Sequence, residues 1–268
     1  MKKKWAITGP AIAFILLIGN SVSTAAAQDS GSTGALLNDP SLSVSKAKTL
    51  KTYSQQKDEW ASKLYKNRLQ NRLAASGARY TISVTGYQQE EYYYCGPASV
   101  RQTLSFHKSS SGSTTSLPSQ ATLAKKIGTT TQGSTTTGIT DTINTYANTY
   151  GFVAYASSNL EDESDPEARF RERISADIVY ENGAPIILLQ TKFLPRYGGK
   201  SIRHYNTVSG YDDTSSSPSS YLMRLHDPND DSDYYGTYWD PVGSKTANGV
   251  FKAVYEADKQ GTNMAMSW

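Results

Sequence analysis

Cys95 is the only cysteine among 268 residues, and it stands in Gln89-Glu90-Glu91-Tyr92-Tyr93-Tyr94-Cys95-Gly96-Pro97-Ala98-Ser99, six residues after a glutamine. A solitary thiol has no internal partner for a disulfide, so it is either an inert buried cysteine or a reactive group. The thiolate is the nucleophile, and an ordinary thiol ionises only at about pH 8.5, so reactive cysteines sit at helix N-termini or beside an imidazolium. Gly96-Pro97 meets the first condition. Proline is tolerated in a first helical turn, where N–H groups have no partner, and the positive end of the helix then faces the sulfur.

A thiol of this kind needs a base, and the chain has three histidines. His107 lies about three turns along the helix that Cys95 begins, too far to bond the sulfur, and reads as a surface or C-terminal helix residue. His204 opens the strand-like run Tyr205-Asn206-Thr207-Val208-Ser209-Gly210-Tyr211 after a glycine-containing loop, where a rigid sheet can present an imidazole to a facing helix. His226 is the weaker alternative. The imidazole in turn needs a carboxylate or amide on its other nitrogen. Asp227 ends the strand that follows His204's hairpin and can lie beside it, with Asn229 as the alternative, whereas Asp212 and Asp213 read as turn residues. Acyl transfer also needs donors for the developing oxyanion. Gln89 can offer its side-chain amide beside the Cys95 backbone N–H, and the spacing also accommodates Gln88.

The elements that must hold these groups follow from pattern. Residues 45–76 carry Leu50, Tyr53, Trp60, Leu64, Leu69 and Leu73 at loosely helical spacing, either as a helix packed on the main domain or as a propeptide. Tyr80 to Val84 alternates as a strand. Ser119 is placed to cap a helix that Gly128 ends, and a further helix is expected from about Thr140 to Tyr150 after a Thr/Gly loop reaching Gly138. Phe152 to Ala156 reads as a strand, Asp165-Pro166 as the start of a helix running to Asn182-Gly183, and Pro185 to Gln190 as a buried strand. The His204 to Tyr211 and Tyr221 to Leu225 strands are joined by the Asp212 to Ser220 turn. Helices followed by a β-rich half make an α+β layout rather than an alternating one.

At the N-terminus, Met1-Lys2-Lys3-Lys4, an apolar run from Trp5 to Ile18 and small residues ending in Ala25-Ala26-Ala27 read as a secretory signal peptide cleaved after Ala27. The run is shorter than the roughly 20 residues of a membrane span. Residues 28–44 read as a flexible Gly/Ser-rich linker, and 77–268 as the main domain. An exported chain without disulfides must be held by its core, and about 240 residues suffice for that. Three of the 27 Lys and Arg side chains lie in the signal, which leaves 24 against 24 Asp and Glu. That balance argues against nucleic acid or anionic lipid as the main partner.

The ordered series resembles the secreted C39-like branch of the papain-like cysteine peptidases over roughly residues 80–240. The pieces are Gln89-(five)-Cys95-Gly96-Pro97-Ala98-Ser99, Leu117 to Ala124 with Ile127-Gly128-Thr129-Thr130, His204 to Asp213, and His226-Asp227-Pro228. The resemblance implies Cys95 as nucleophile, His204 as base, Asp227 as its orienter and Gln89 as oxyanion donor. It implies a papain-like α+β fold, with a helical lobe carrying the thiol packed on an antiparallel sheet carrying His and Asp. Many relatives have glycine where this chain has Arg203, and apolar residues where it has Asn206 and Thr207. The implied protein is a monomeric peptidase or amidase that needs no metal or organic cofactor. Two other outcomes fit the same residues: an acyl-transferring transpeptidase, and a non-catalytic module that binds peptide or cell-surface polymer.

Overall fold

The computed structural model describes residues 34–72 and 77–268, so the expected signal peptide lies outside the described residues. The first helix, α1 (Val44–Arg72), contains no glycine or proline and runs for 29 residues. It buries Ser54, Asp58 and Ala61, which share one face at spacings of four and three, while Tyr53, Trp60 and Leu69 stay partly exposed. The apolar stripe read from the sequence is therefore not the docking face. Polar anchors hold α1 instead. Arg173 is 1% exposed and donates to both Asp58 oxygens at 2.8 and 2.9 Å and to Glu163 at 2.7 Å.

Strand β1 (Arg79–Thr81) precedes α2 (Cys95–Ser111), which closes on Gly112 in the left-handed region, and then α3 (Gln120–Ile127), capped by Ser119 and ended by Gly128. The next helix begins earlier than expected. α4 (Thr136–Asn144) starts where the Thr135 hydroxyl accepts the Gly138 N–H, and the chain breaks before the short α5 (Ala147–Tyr150). Gly138 is inside this helix, not in a loop: a Cβ there would stand 2.5 Å from the Ile127 carbonyl oxygen.

Phe152 to Ala156 is not a strand. Pairing begins only at Ala156, which exchanges backbone hydrogen bonds with Trp268 ahead of β2 (Ser157–Ser158), and the Phe152 ring is drawn instead onto His107, 3.9 Å between centroids. Helix α6 (Pro166–Val179), capped by Asp165, leads into β3 (Ile186–Gln190), β4 (Arg203–Asp212) and β5 (Leu222–Asp227). The tail forms β6 (Gly236–Pro241), α7 (Val250–Asp258) and β7 (Met266–Ser267).

The strands make one antiparallel sheet in the order β2-β7-β3-β4-β5-β6, with β1 on the far half of β4. Alternation sorts β3 onto two cores. Ile187 and Leu189 join Phe170, Ile174, Phe251 and Val254 on one side, and Ile186 and Leu188 join Leu104, Leu123 and Ile139 on the other. All ten residues of β4 are buried, which makes this strand the spine of the molecule. Its pairing with β5 shifts between Val208 and Gly210, a β-bulge. A Cβ at Gly210 would lie 2.8 Å from both Arg224 and Trp239, so only glycine fits there.

The stretch read as a flexible linker is pinned from Gly34 to Asp39. Ala35 is buried and bridges Ser134, and Asp39 accepts from Thr137. These contacts reach about a hundred residues along the chain, and local composition carries no sign of them.

Candidate active site

Cys95 is the first residue of α2, and Tyr94 before it supplies no side-chain cap. No acidic residue stands in the first turn, so the positive end of the helix is left to the sulfur. One turn on, Ser99 stitches the helix to β4: its hydroxyl donates to the Tyr205 carbonyl at 3.3 Å, and Thr207 donates to the Ser99 carbonyl at 3.2 Å. Thr207 therefore supplies a bond that fixes the helix against the histidine strand. Asn206 is buried with neither amide atom bonded, and nothing in the structure explains it.

His204 and Asp227 meet across β4 and β5, Nε2 to Oδ1 at 2.8 Å, both fully buried. With Nε2 committed to the carboxylate, Nδ1 is the ring nitrogen left for Cys95. Burial alone would push the imidazolium down. The Asp227 charge and hydrogen bond, then Cys95, outweigh it and raise the ring to about 9. Near neutral pH the ring is therefore an imidazolium.

Asp227 is held more firmly than the sequence indicated. Tyr197 donates to its Oδ2 at 2.6 Å, Arg196 at 2.7 Å, and the Asn229 N–H donates to Oδ1 at 3.1 Å. Burial would raise this carboxyl, but His204, Arg196 and Tyr197 together hold it well below the usual carboxylate range. Arg196 also donates to Asp240 at 2.9 Å and lies between the Tyr197 and Tyr238 rings. Sequence reasoning passed over Arg196 and Tyr197 as part of a Pro/Gly loop. An arginine-tyrosine pair just before the histidine strand was the available signal.

Asn229 does not face the histidine; its side chain donates to the Tyr197 hydroxyl at 3.3 Å. His226 points away from Asp227, as adjacent strand residues must, and pairs with Thr237 at 3.0 Å. Burial, with Arg224 nearby, pushes His226 down to about 4. His107 is not a surface residue. It is buried between Phe152 and the Tyr155 hydroxyl at 2.8 Å, and burial with Lys57 pushes it down to about 3. Asp212 and Asp213 are turn groups, taken by Arg79 and Arg68 respectively.

The loop before Cys95 is tied to the end of β5. Gln89 donates its backbone N–H to the Pro228 carbonyl at 2.7 Å and its side-chain amide to Tyr92 at 2.9 Å. Its Oε1 is buried with no hydrogen-bond partner, and one amide hydrogen remains uncommitted. Gln88 is occupied by the carbonyls of Asn229 and Asp230. Gln120, unnoticed in the sequence, clamps this loop by accepting the Glu90 N–H and donating to the Gln88 carbonyl.

A helix that presents a thiol, packed on an antiparallel sheet that presents a histidine, defines the papain-like class of α+β fold. The model of the Peptidase_C39 like family matches residues 81–262, and the chain belongs to that family, whose members are generally cysteine peptidases. No curated protein and no solved structure matches the chain. The matched range contains Gln89, Cys95, His204 and Asp227, and begins after Gly34–Asp39 and α1. Among the described residues, no group of three or more His, Cys, Asp or Glu could hold a metal ion, and no helix is long and apolar enough to cross a membrane.

Proposed function

We propose that the protein is a secreted cysteine peptidase or amidase acting through Cys95, His204 and Asp227, with Gln89 as oxyanion donor. The observation that carries this reading is the fully buried His204–Asp227 pair, Nε2 to Oδ1 at 2.8 Å, on a ring whose titration Cys95, at the head of α2, also raises. In it, Asp227 orients the ring and stabilises its charged form, and His204 holds the thiol proton. The Cys95 sulfur attacks the scissile carbonyl carbon, and the oxygen takes the negative charge. The free amide hydrogen of Gln89 and the Cys95 N–H bond that oxygen. Collapse breaks the C–N bond, the amine leaves with the His204 proton, and a thioester remains. Water, giving a proton to His204, then releases the acid and restores the thiol. Residues 1–27 support export, and the equal charges of the remainder support a peptide partner for a monomer rather than nucleic acid or membrane.

A peptide library incubated with the protein and read by mass spectrometry tests this. Products are expected that disappear in Cys95→Ala and His204→Ala. A library left intact by the wild type and by the Ala35→Asp variant described below would overturn it. Coupled products with an added amine would reassign the same residues to transpeptidation.

A further inference from the structure

Cys95 is fully buried, and Ala35 belongs to the same apolar cluster. An extended piece of this chain lies against the loop that leads to the thiol. Gly34 lies so close to the Tyr93 carbonyl, two residues before the thiol, that any Cβ would collide with it. Ala35 pairs in parallel with Ser134: the Ser134 N–H donates to the Gly34 carbonyl at 2.7 Å, and the Leu36 N–H donates to the Ser134 carbonyl at 3.0 Å. Ser134 itself packs on Gly96, the residue after the thiol.

One residue further, the segment reaches the strand that carries the histidine. The Leu36 carbonyl accepts from Arg203 Nε at 3.0 Å and from Asn263 Nδ2 at 2.7 Å. Arg203 immediately precedes His204 in β4, so three consecutive residues span from the loop before the nucleophile to the strand of the base. Leu37 and Asp39 continue the track, accepting from the Asn263 N–H and donating to Thr262 Oγ1. Main-chain pairing of this kind is how an extended peptide is gripped by a groove edge, with side-chain pockets adding selectivity.

We propose that Gly34–Asp39 occupies the peptide groove in cis, masking Cys95 until it is displaced. The groove between Tyr93 and Ser134 on one side and Arg203 and Asn263 on the other is thus a binding site for extended backbone. This rests on the cysteine-peptidase reading. Two further observations fit it. The family match begins well after the segment, at residue 81, so the segment is an addition to the shared domain. And α1, which follows the segment, is held to α6 by the buried Asp58–Arg173 pair, so the segment and the helix behind it are anchored to the domain at separate points.

The test uses the full chain and the rate at which iodoacetamide alkylates Cys95 at pH 6. Ala35→Asp places a charge in the cluster beside the sulfur, and Asp39→Ala removes the Thr137 anchor outside it, so one variant remains informative if the other fails to fold. Each is expected to raise the alkylation rate about tenfold or more, as local opening controls access to a buried group. Each is also expected to raise peptide hydrolysis in parallel. A synthetic peptide of residues 34–43 added to either variant should restore protection. Alkylation and hydrolysis as fast in the wild type as in both variants would overturn the proposal and leave the catalytic reading standing. The converse is distinguishable: a thiol that becomes accessible in the variants, yet reacts no faster than an ordinary thiol and is indifferent to His204→Ala, would sink the catalytic reading and keep the masking.

Discussion

Tyr197 donates its hydroxyl to Asp227 Oδ2 at 2.6 Å, on the carboxylate oxygen that His204 leaves free. Burial and the neighbouring Asp227 charge raise the phenol far above its ordinary range, so it stays a donor across the working pH. The 3₁₀ turn Pro195–Tyr197 thereby acts as a brace for the whole hydrogen-bonded chain.

Tyr197→Phe is expected to lower kcat several-fold with little change in KM, because the hydroxyl touches Asp227 and not the peptide. The lost bond is worth about 1 kcal/mol of stability, somewhat more if Asp227 finds no substitute. Steady-state kinetics and urea unfolding check both. A KM effect alone would contradict the bracing role.

Asp227→Asn removes the group that raises His204. Burial then acts on the ring with less opposition, and its titration falls from about 9. The rate at pH 7 is expected to drop by roughly 10²–10⁴-fold, and the alkaline limb of the pH profile to move to lower pH. The sign for stability follows from the same shift. A ring raised from 6.5 to about 9 contributes stability that is fully present below 6.5 and is lost as pH rises through 9. Urea unfolding at several pH values should show this decline in the wild type and a weaker one in the variant.

His107 works in the opposite direction. Its ring is pushed from 6.5 to about 3, so the native state resists protonation that the unfolded chain accepts, and stability is lost as pH falls below 6.5. His107→Phe keeps the stacking on Phe152 but leaves the Tyr155 hydroxyl with the Ala184 N–H alone. The variant should be less stable at pH 7 by about 1–2 kcal/mol, with a shallower loss of stability between pH 6 and 4. Thermal melts across that range decide it.

Asp58→Ala strands the Arg173 guanidinium, which keeps Glu163 and the Asn159 carbonyl as partners. Breaking a buried pair by removing one partner costs about 3–5 kcal/mol, and the loss should be centred on α1. Hydrogen exchange should show Val44–Arg72 losing protection before β3 and β4 do.

Much of the architecture was legible because it rests on local signals. Ser119, Gly128 and Asp165 start or stop helices by backbone chemistry that needs no tertiary information, and the Asp212–Ser220 turn pairs β4 with β5 by adjacency alone. That adjacency is also what brings His204 to Asp227. The misreadings are tertiary. Gly138 looked like a loop residue until the Ile127 carbonyl was found against it. Phe152 left its expected strand to stack on His107, and Ala35 is buried by partners a hundred residues away. Arg196 and Tyr197 reach Asp227 from a turn whose Pro and Gly advertise only its shape. The α1 stripe misled because buried charge, not apolar spacing, chose its docking face.

The bulge between Val208 and Gly210 divides β4 into two rulers. Beyond it, the register of the hairpin end is offset from that of the imidazole end, and the offset is taken up at a glycine that no other residue can replace. The imidazole end keeps its count. The exposed tip of the turn, 214–218, is thus a natural grafting point, away from the ring and its acid.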